Sequence, residues 1–117
     1  GSVERRRLLS QAKDWIEAHL HRSFLIAELA GALHVSPRNL QYCFSAELGH
    51  SPLVEIRRVR FHRLRKELQS ISHEQEPLDI VFRRCGLSDN PITWRHYRNW
   101  CGETPVQTRT RAKMQAS

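Results

Sequence analysis

The 117-residue sequence lacks the features of membrane proteins and of disulfide-stabilised proteins. No apolar run approaches the roughly 18 residues that a membrane-spanning helix needs. Its three cysteines, Cys43, Cys85 and Cys101, lie far apart and form no CxxC pair. A disulfide framework or a zinc finger is therefore not expected, and reduced thiols in a cytoplasmic protein fit this usage better.

Motifs for catalysis and for cofactor binding are also missing. The seven histidines are scattered, and none lies in an HExxH or comparable metal-binding spacing. There is no phosphate-cradling glycine loop and no pairing of a nucleophile with a base. We therefore predict that the protein is not an enzyme and needs neither a metal nor another cofactor.

Positive charge is what the sequence does have. The net charge is +7, and 16 of the 19 basic residues are arginine. The planar guanidinium group suits bidentate contacts to phosphate and to guanine, so this bias favours a nucleic-acid partner. Charge alone is equally compatible with a solvated basic surface.

Apolar residues recur every three or four positions, which is typical of helices, and no segment alternates like a strand. Start signals such as Ser36-Pro37, Ser51-Pro52 and Asn90-Pro91, and stops at Gly49 and Gly102, limit the helices. The pattern predicts seven helices, at about 4–20, 26–33, 37–49, 52–70, 78–84, 91–100 and 105–111, and a polar loop over 71–77.

An internal repeat relates the two halves of the sequence. At a shift of 52, Leu29-Ala30, Leu33, Val35 and Ser36 recur as Val81-Phe82, Cys85, Leu87 and Ser88. At a shift of 53, Leu40, Phe44, Gly49 and Ser51-Pro52 recur as Thr93, Tyr97, Gly102 and Thr104-Pro105. The extra residue falls at the entry to the second helix of the later copy. Each copy follows the helix-turn-helix plan, although short amphipathic helices joined by turns occur in any bundle.

The predicted fold is all-α, with seven helices forming two helix-turn-helix subdomains joined by a long linking helix. Gly1-Ser2 resembles a remnant of a cut expression tag, so we expect the natural protein to extend upstream. The predicted division is a tag remnant at 1–2, a first subdomain at 3–52, the linking helix at 53–70 and a second subdomain at 71–117.

The linking helix of about 18 residues would span roughly 27 Å. This length would bring two recognition helices near the roughly 34 Å repeat of successive major grooves. We expect its apolar stripe to pack against both subdomains, with residues Leu53, Ile56, Val59, Phe61, Leu64 and Leu68. The basic residues of its other faces are phosphate-contact candidates, or simply a solvated surface: Arg57, Arg58, Arg60, Arg63, Arg65 and Lys66.

The outward faces of the third and sixth helices carry the candidate DNA contacts. On the third helix, Arg38 and Gln41 suit guanine and adenine edges, and Tyr42 and Ser45 share their side. Ser36 is placed for a phosphate or for helix capping alone. On the sixth helix the outward set comprises Asn90 and Arg95 for bases, Arg98 for a phosphate, and Ile92. We expect Trp94 to turn into the core, because large aromatic side chains usually bury.

Residues 25–111 resemble the DNA-binding domain of the AraC/XylS family. The resemblance is carried in the first unit by 29–41, Phe44, Leu48-Gly49, Ser51-Pro52 and 57–61, and in the second by 85–89, Tyr97, Gly102 and Thr104-Pro105. It implies a bacterial transcription regulator, usually an activator, with recognition helices in adjacent major grooves of double-stranded DNA. It also implies base contacts at Arg38, Gln41, Tyr42, Asn90, Pro91, Ile92 and Arg95.

Family members usually carry an N-terminal domain for effector binding or dimerisation, which would precede this sequence. The second unit departs from the family at Thr93 and Thr108, where large apolar or aromatic residues are usual, and Pro91 removes a backbone donor. The second unit is therefore expected to be less stable, or to bind mainly for affinity. The alternative is that the protein is a basic helical interaction module. It would bind an acidic partner such as RNA polymerase and have only non-specific affinity for nucleic acid.

Overall fold

The computed structural model describes residues 1–70 and 75–116, and every regular element in these ranges is an α-helix. The helices are α1 (Ser2–Ala18), α2 (Ile26–Ala32), α3 (Pro37–Leu48), α4 (Pro52–Gln69), α5 (Leu78–Arg84), α6 (Pro91–Cys101) and α7 (Pro105–Ala116). The predicted all-α fold with seven helices is confirmed. Helix α1 begins earlier and α7 ends later than the sequence indicated. Most of the predicted 71–77 loop lies outside the described residues.

The chain divides into two compact units, residues 1–57 and residues 58–117, called unit 1 and unit 2 below. The boundary falls within α4. The predicted division with a separate linking segment at 53–70 stays a prediction. Among the described helices, none is both long and apolar enough to cross a membrane.

Unit 1 has a core formed by α1, α2 and α3, since α1 packs against both other helices. Its buried side chains are Leu9, Ala12, Ile16, Leu20, Leu29, Ala30, Leu40, Cys43 and Phe44. Leu8 and Trp15 are only partly buried, whereas Leu9 is buried. A core of this kind is sufficient to hold α3 in place, because its whole inner face is removed from water.

The turn between α2 and α3 occupies four residues, 33–36. His34 lies in the left-handed region with φ of 59°, and the amide of Val35 donates to the carbonyl of Ala30 at 3.0 Å. Ser36 then caps α3 by accepting from the amide of Asn39 at 3.0 Å, and Pro37 occupies the first helical position. Gly49, with φ of 77°, ends the helix as predicted.

Unit 2 has a more aromatic core. The buried residues are Phe61, Leu64, Leu68, Val81, Phe82, Cys85 and Tyr97, and Trp94 and Trp100 pack against them. The Tyr97 hydroxyl shares a hydrogen bond of 2.7 Å with Oγ1 of Thr108, and both groups are buried. This polar pair occupies space that an aromatic residue at position 108 would otherwise fill.

The predicted apolar stripe of α4 is wrong at its first residue, because the side chain of Leu53 is 65% exposed. The buried side at this end of α4 is formed by Pro52, Glu55 and Ile56. These residues are separated by three and four positions, so they share a helical face from which Leu53 is rotated away. The buried Glu55 carboxylate is held by Nε2 of His50 at 2.8 Å.

The turn between α5 and α6 is longer than its counterpart in unit 1. It spans six residues, 85–90, while α6 has 11 residues and α3 has 12. The first helices of the two copies are 52 positions apart, and the glycine stops are 53 apart. The difference of one arises because the later copy has two more turn residues and one fewer helical residue. Gly86 has φ of 72°, and the amide of Leu87 donates to the carbonyl of Phe82 at 2.9 Å.

Candidate nucleic-acid interface

The outer face of α3 carries the four side chains predicted from the sequence. Arg38, Gln41, Tyr42 and Ser45 are all exposed, and their spacing of three and four residues places them on one helical face. The opposite face is fixed by the buried Leu40, Cys43 and Phe44. The structure therefore brings the unit 1 candidates together on one surface, and whether they contact bases stays a prediction.

Two candidate residues, Ser36 and Asn90, are the N-caps of α3 and α6, and each already accepts a hydrogen bond from its own helix. Ser36 accepts from the amide of Asn39, and Oδ1 of Asn90 accepts from the amide of Thr93 at 2.8 Å. Both caps are exposed. Asn90 consequently has its amide nitrogen available as a donor, whereas a bidentate contact to adenine would have to share the capping oxygen.

The outer face of α6 presents Ile92, Arg95 and Arg98. The side chain of Ile92 is 58% exposed, and both arginines are exposed as well. Pro91 is the first residue of the helix, where its missing amide hydrogen removes no helical hydrogen bond. The exposed side of α6 therefore carries Ile92, Arg95 and Arg98, as predicted.

Trp94 packs against the core of unit 2, which confirms its predicted orientation. Its ring stacks on Phe82 with centroids 6.3 Å apart, and Nε1 donates to Oδ1 of Asp89 at 2.6 Å. The indole therefore connects the start of α6 to both α5 and the turn. Thr93 is half-buried beside it.

One predicted phosphate candidate on α4 is wrong. The side chain of Arg60 is buried, and its Nη1 donates to the carbonyl of Cys85 at 2.9 Å. Burial lowers the pKa of this guanidinium group. Arg60 thus satisfies the carbonyl at the end of α5 instead of facing solvent. Arg57 is half-buried, while Arg58, Arg63, Arg65 and Lys66 are exposed.

Some of the arginines form ion pairs with carboxylates and others do not. Arg84 is paired with Glu67 and Glu76, and Arg111 with Glu103. By contrast, the three arginines exposed on α3 and α6 form no ion pair with any residue that the structure describes: Arg38, Arg95 and Arg98. The two outer faces therefore present unneutralised positive charge together with hydrogen-bonding side chains, which is the combination that contacts to DNA require.

The contacts that three residues make in the structure were not predicted from the sequence. Arg60 could have been found, because its spacing from Pro52 and Ile56 places it on the buried face of α4. Arg5 and Asp89 carry no such local signal, since their contacts depend on how helices and turns pack. Within 1–70 and 75–116, no group of three or more His, Cys, Asp or Glu residues is arranged to hold a metal ion.

Comparisons with known proteins agree with this architecture. The family model described as a helix-turn-helix domain matches residues 29–111, which is more than half of the chain. The chain is 31% identical over 96 residues to the probable thc operon regulatory protein of Rhodococcus erythropolis, covering 82% of this chain and 29% of that protein. It spans between 21% and 37% of the length of three curated relatives that it matches.

Two solved structures are similar over almost the whole chain. One is a transcriptional regulator from Chromobacterium violaceum described among AraC-type DNA-binding domain-containing proteins, with a TM-score of 0.82, 25% identity, and coverage of 94% of this chain and 96% of that one. The other is the DNA-binding domain of AdpA, determined in complex with a target DNA. It has a TM-score of 0.79, 25% identity, and coverage of 92% and 94%.

Proposed function

The chain belongs to the AraC/XylS family of transcription regulators as a DNA-binding domain of that family, and we propose that it reads specific base pairs of duplex DNA with both α3 and α6. The observation that carries the proposal is the presence of unpaired arginines on the outer faces of these two helices. Each helix is held from behind by a packed core, so its outer side chains are available for a major groove.

Within each face we assign roles by the chemistry of the side chains. Arg38 and Arg95 read guanine, Gln41 reads adenine, and Tyr42, Asn90 and Ile92 contact neighbouring base edges. The phosphate contacts are Ser36, Ser45, Arg57 and Arg98. The two helices enter adjacent major grooves, as the family resemblance implies.

The test begins with selection of bound sites from random duplex DNA. Affinity for the selected site is then measured at two salt concentrations for the wild type, Arg38→Ala, Arg95→Ala and the control Arg7→Ala, which changes an exposed α1 arginine. We expect two half-elements about one helical turn apart. Each recognition-helix variant should lose about 10- to 100-fold in affinity and relax the preference at its own half-element.

A different signature is expected from the phosphate contacts. Arg98→Ala should weaken binding about equally on all sequences and reduce the salt slope by about one. Binding by the wild type without any preferred sequence, and with a steep salt dependence, would contradict base reading. That outcome would favour the alternative, a basic module for an acidic partner.

We extend the proposal to the intact protein, which is expected to regulate transcription as an activator in the bacterial cytoplasm. The similarity to the probable thc operon regulatory protein of Rhodococcus erythropolis supports a regulatory role, and activation is our own assignment. We also propose that the intact protein contacts RNA polymerase. It would bind an effector and a second copy of itself through an N-terminal domain. A reporter gene placed behind the selected site should respond to the intact protein, and a repressed reporter would reverse the assigned sign.

A further inference from the structure

Helix α1 precedes the residues matched by the helix-turn-helix family, yet one of its side chains reaches the outer edge of α3. The guanidinium carbon of Arg5 lies 5.9 Å from the centroid of the Tyr42 ring. Nε of Arg5 also donates to Oε1 of Glu47 at 3.3 Å. The Arg5 carbonyl accepts from Sγ of Cys43 at 3.1 Å. Arg5 therefore contacts three residues of α3 at once.

These contacts matter because Tyr42 is otherwise weakly constrained. Its side chain is 59% exposed, so the core does not hold the ring in one orientation. A guanidinium group within about 6 Å of an aromatic centroid attracts the ring, and the planar arginine group also stacks on it. The ion pair with Glu47 restrains Arg5, which has only about a third of its own side chain exposed. The ring thus has a restrained partner on one side and solvent on the other.

We propose that Arg5 is a positioning residue that fixes the Tyr42 ring for contact with a base, so that α1 contributes to the sequence preference of unit 1. The inference rests on the proposed function, because it requires Tyr42 to face DNA. A side chain that reads a base must be held close to its productive geometry. In unit 1 this restraint comes from a helix outside the helix-turn-helix itself.

The experiment compares selected-site profiles and affinities for the wild type, Arg5→Ala, Tyr42→Ala and the double variant. Arg5→Ala should lower affinity for the selected site about two- to five-fold. It should also flatten the base preference at the positions that Tyr42→Ala flattens. In the double variant, removal of Arg5 should have no further effect, because the ring it positions is already gone.

Two further variants separate positioning from charge and from folding. Arg5→Lys keeps the charge without the planar group, so we expect the salt slope to be retained and the preference to be only partly restored. Glu47→Ala releases Arg5 without removing it and should give a smaller loss at the same base positions. The matched control is Arg6→Ala, which changes the neighbouring exposed arginine and should leave the preference intact.

Melting temperatures measured by circular dichroism should be similar for all of these variants, because Arg5 and Tyr42 lie outside the core. The inference is overturned if Arg5→Ala weakens selected and unrelated DNA equally and reduces the salt slope by about one, since Arg5 would then be a phosphate contact. It is also overturned if Arg5→Ala lowers affinity as much in the Tyr42→Ala variant as it does in the wild type. Both outcomes leave the proposed function standing, whereas a wild type that selects no sequence overturns both.

Discussion

The helix-turn-helix of unit 1 and that of unit 2 have the same backbone hydrogen bonds around turns of different length. In each, the second residue of the turn has positive φ, and the next amide bonds to the carbonyl five residues earlier: Val35 to Ala30, and Leu87 to Phe82. The turn nevertheless has four residues in unit 1 and six in unit 2. The added residues therefore fall after the shared bonds, where they do not disturb the end of the first helix.

The second helices are held by different side chains. In unit 1, α3 packs against α1. In unit 2, α6 packs against α7, with the Tyr97–Thr108 pair buried and Trp94 bonded to Asp89 in the longer turn. The comparison shows that local backbone bonds specify the motif, while the packing that supports it is exchangeable.

The largest expected effect comes from removing the equivalent aromatic core residues. Phe44→Ala and Tyr97→Ala should each cost about 3–5 kcal/mol in the free energy of unfolding, because each leaves a cavity in its unit. Urea denaturation measures the total loss. The control is Tyr42→Ala, which changes an exposed aromatic residue and should cost little.

Thiol labelling can show whether that loss stays within one unit. In a Cys101→Ser background, Cys43 reports on unit 1 and Cys85 on unit 2, and both thiols are buried. Burial raises the pKa of Cys43, and burial followed by the Glu67 charge raises the pKa of Cys85 to about 12. Because both sulfur atoms are buried, labelling at pH 8 should require opening of the unit that holds them, and the raised pKa values slow the reaction further. Equal acceleration of both thiols by Phe44→Ala would mean that the units unfold together.

The next effect concerns the two left-handed turn residues. Gly86→Ala should cost about 1–2 kcal/mol, because φ of 72° is unfavourable for a residue with a Cβ. The reciprocal change, His34→Gly, should alter stability by less than about 1 kcal/mol, since relief of strain is offset by a more flexible unfolded chain. Thermal denaturation of both variants tests this. A cost for His34→Gly as large as that for Gly86→Ala would show that the His34 side chain itself stabilises the turn.

A smaller effect is expected when unit 2 is made to resemble unit 1. Tyr97→Phe, which places phenylalanine where unit 1 has Phe44, should cost about 1 kcal/mol through loss of the bond to Thr108. Adding Thr108→Val should recover part of the loss, since a buried hydroxyl group is then removed as well. Urea denaturation of the single and double variants measures the coupling. Additive losses would show that the two side chains are energetically independent.

The smallest effect should follow from Asp89→Ala in the longer turn. The bond from Trp94 is exposed, so water can replace the carboxylate, and we expect a stability loss of about 0.5 kcal/mol or less. A shift of tryptophan fluorescence would report the changed environment of the indole. Asp79→Ala, which changes an exposed carboxylate of α5, is the control. A loss of stability well above 1 kcal/mol would show that the bond between Asp89 and Trp94 contributes more to the packing of α6 than an exposed hydrogen bond does.

Much of this architecture was accessible from the sequence because the signals are local. The caps at Ser36 and Asn90 and the stops at Gly49 and Gly102 all lie where they were predicted. The outward faces of α3 and α6 followed from spacing alone, because helical geometry decides which side chains share a side. The prediction of Leu53 as a buried residue was wrong, since hydrophobicity does not establish which face of α4 packs inward.

By itself, the sequence determined the helices, their caps and the duplicated plan, because these depend on bonds between residues only a few positions apart. Only the tertiary structure decided which partner each engaged arginine has. Arg60 bonds to a carbonyl 25 residues away, and Arg5 to a carboxylate 42 residues away. No local pattern encodes such contacts, since they exist only once packing of the helices brings distant parts of the chain within hydrogen-bonding distance.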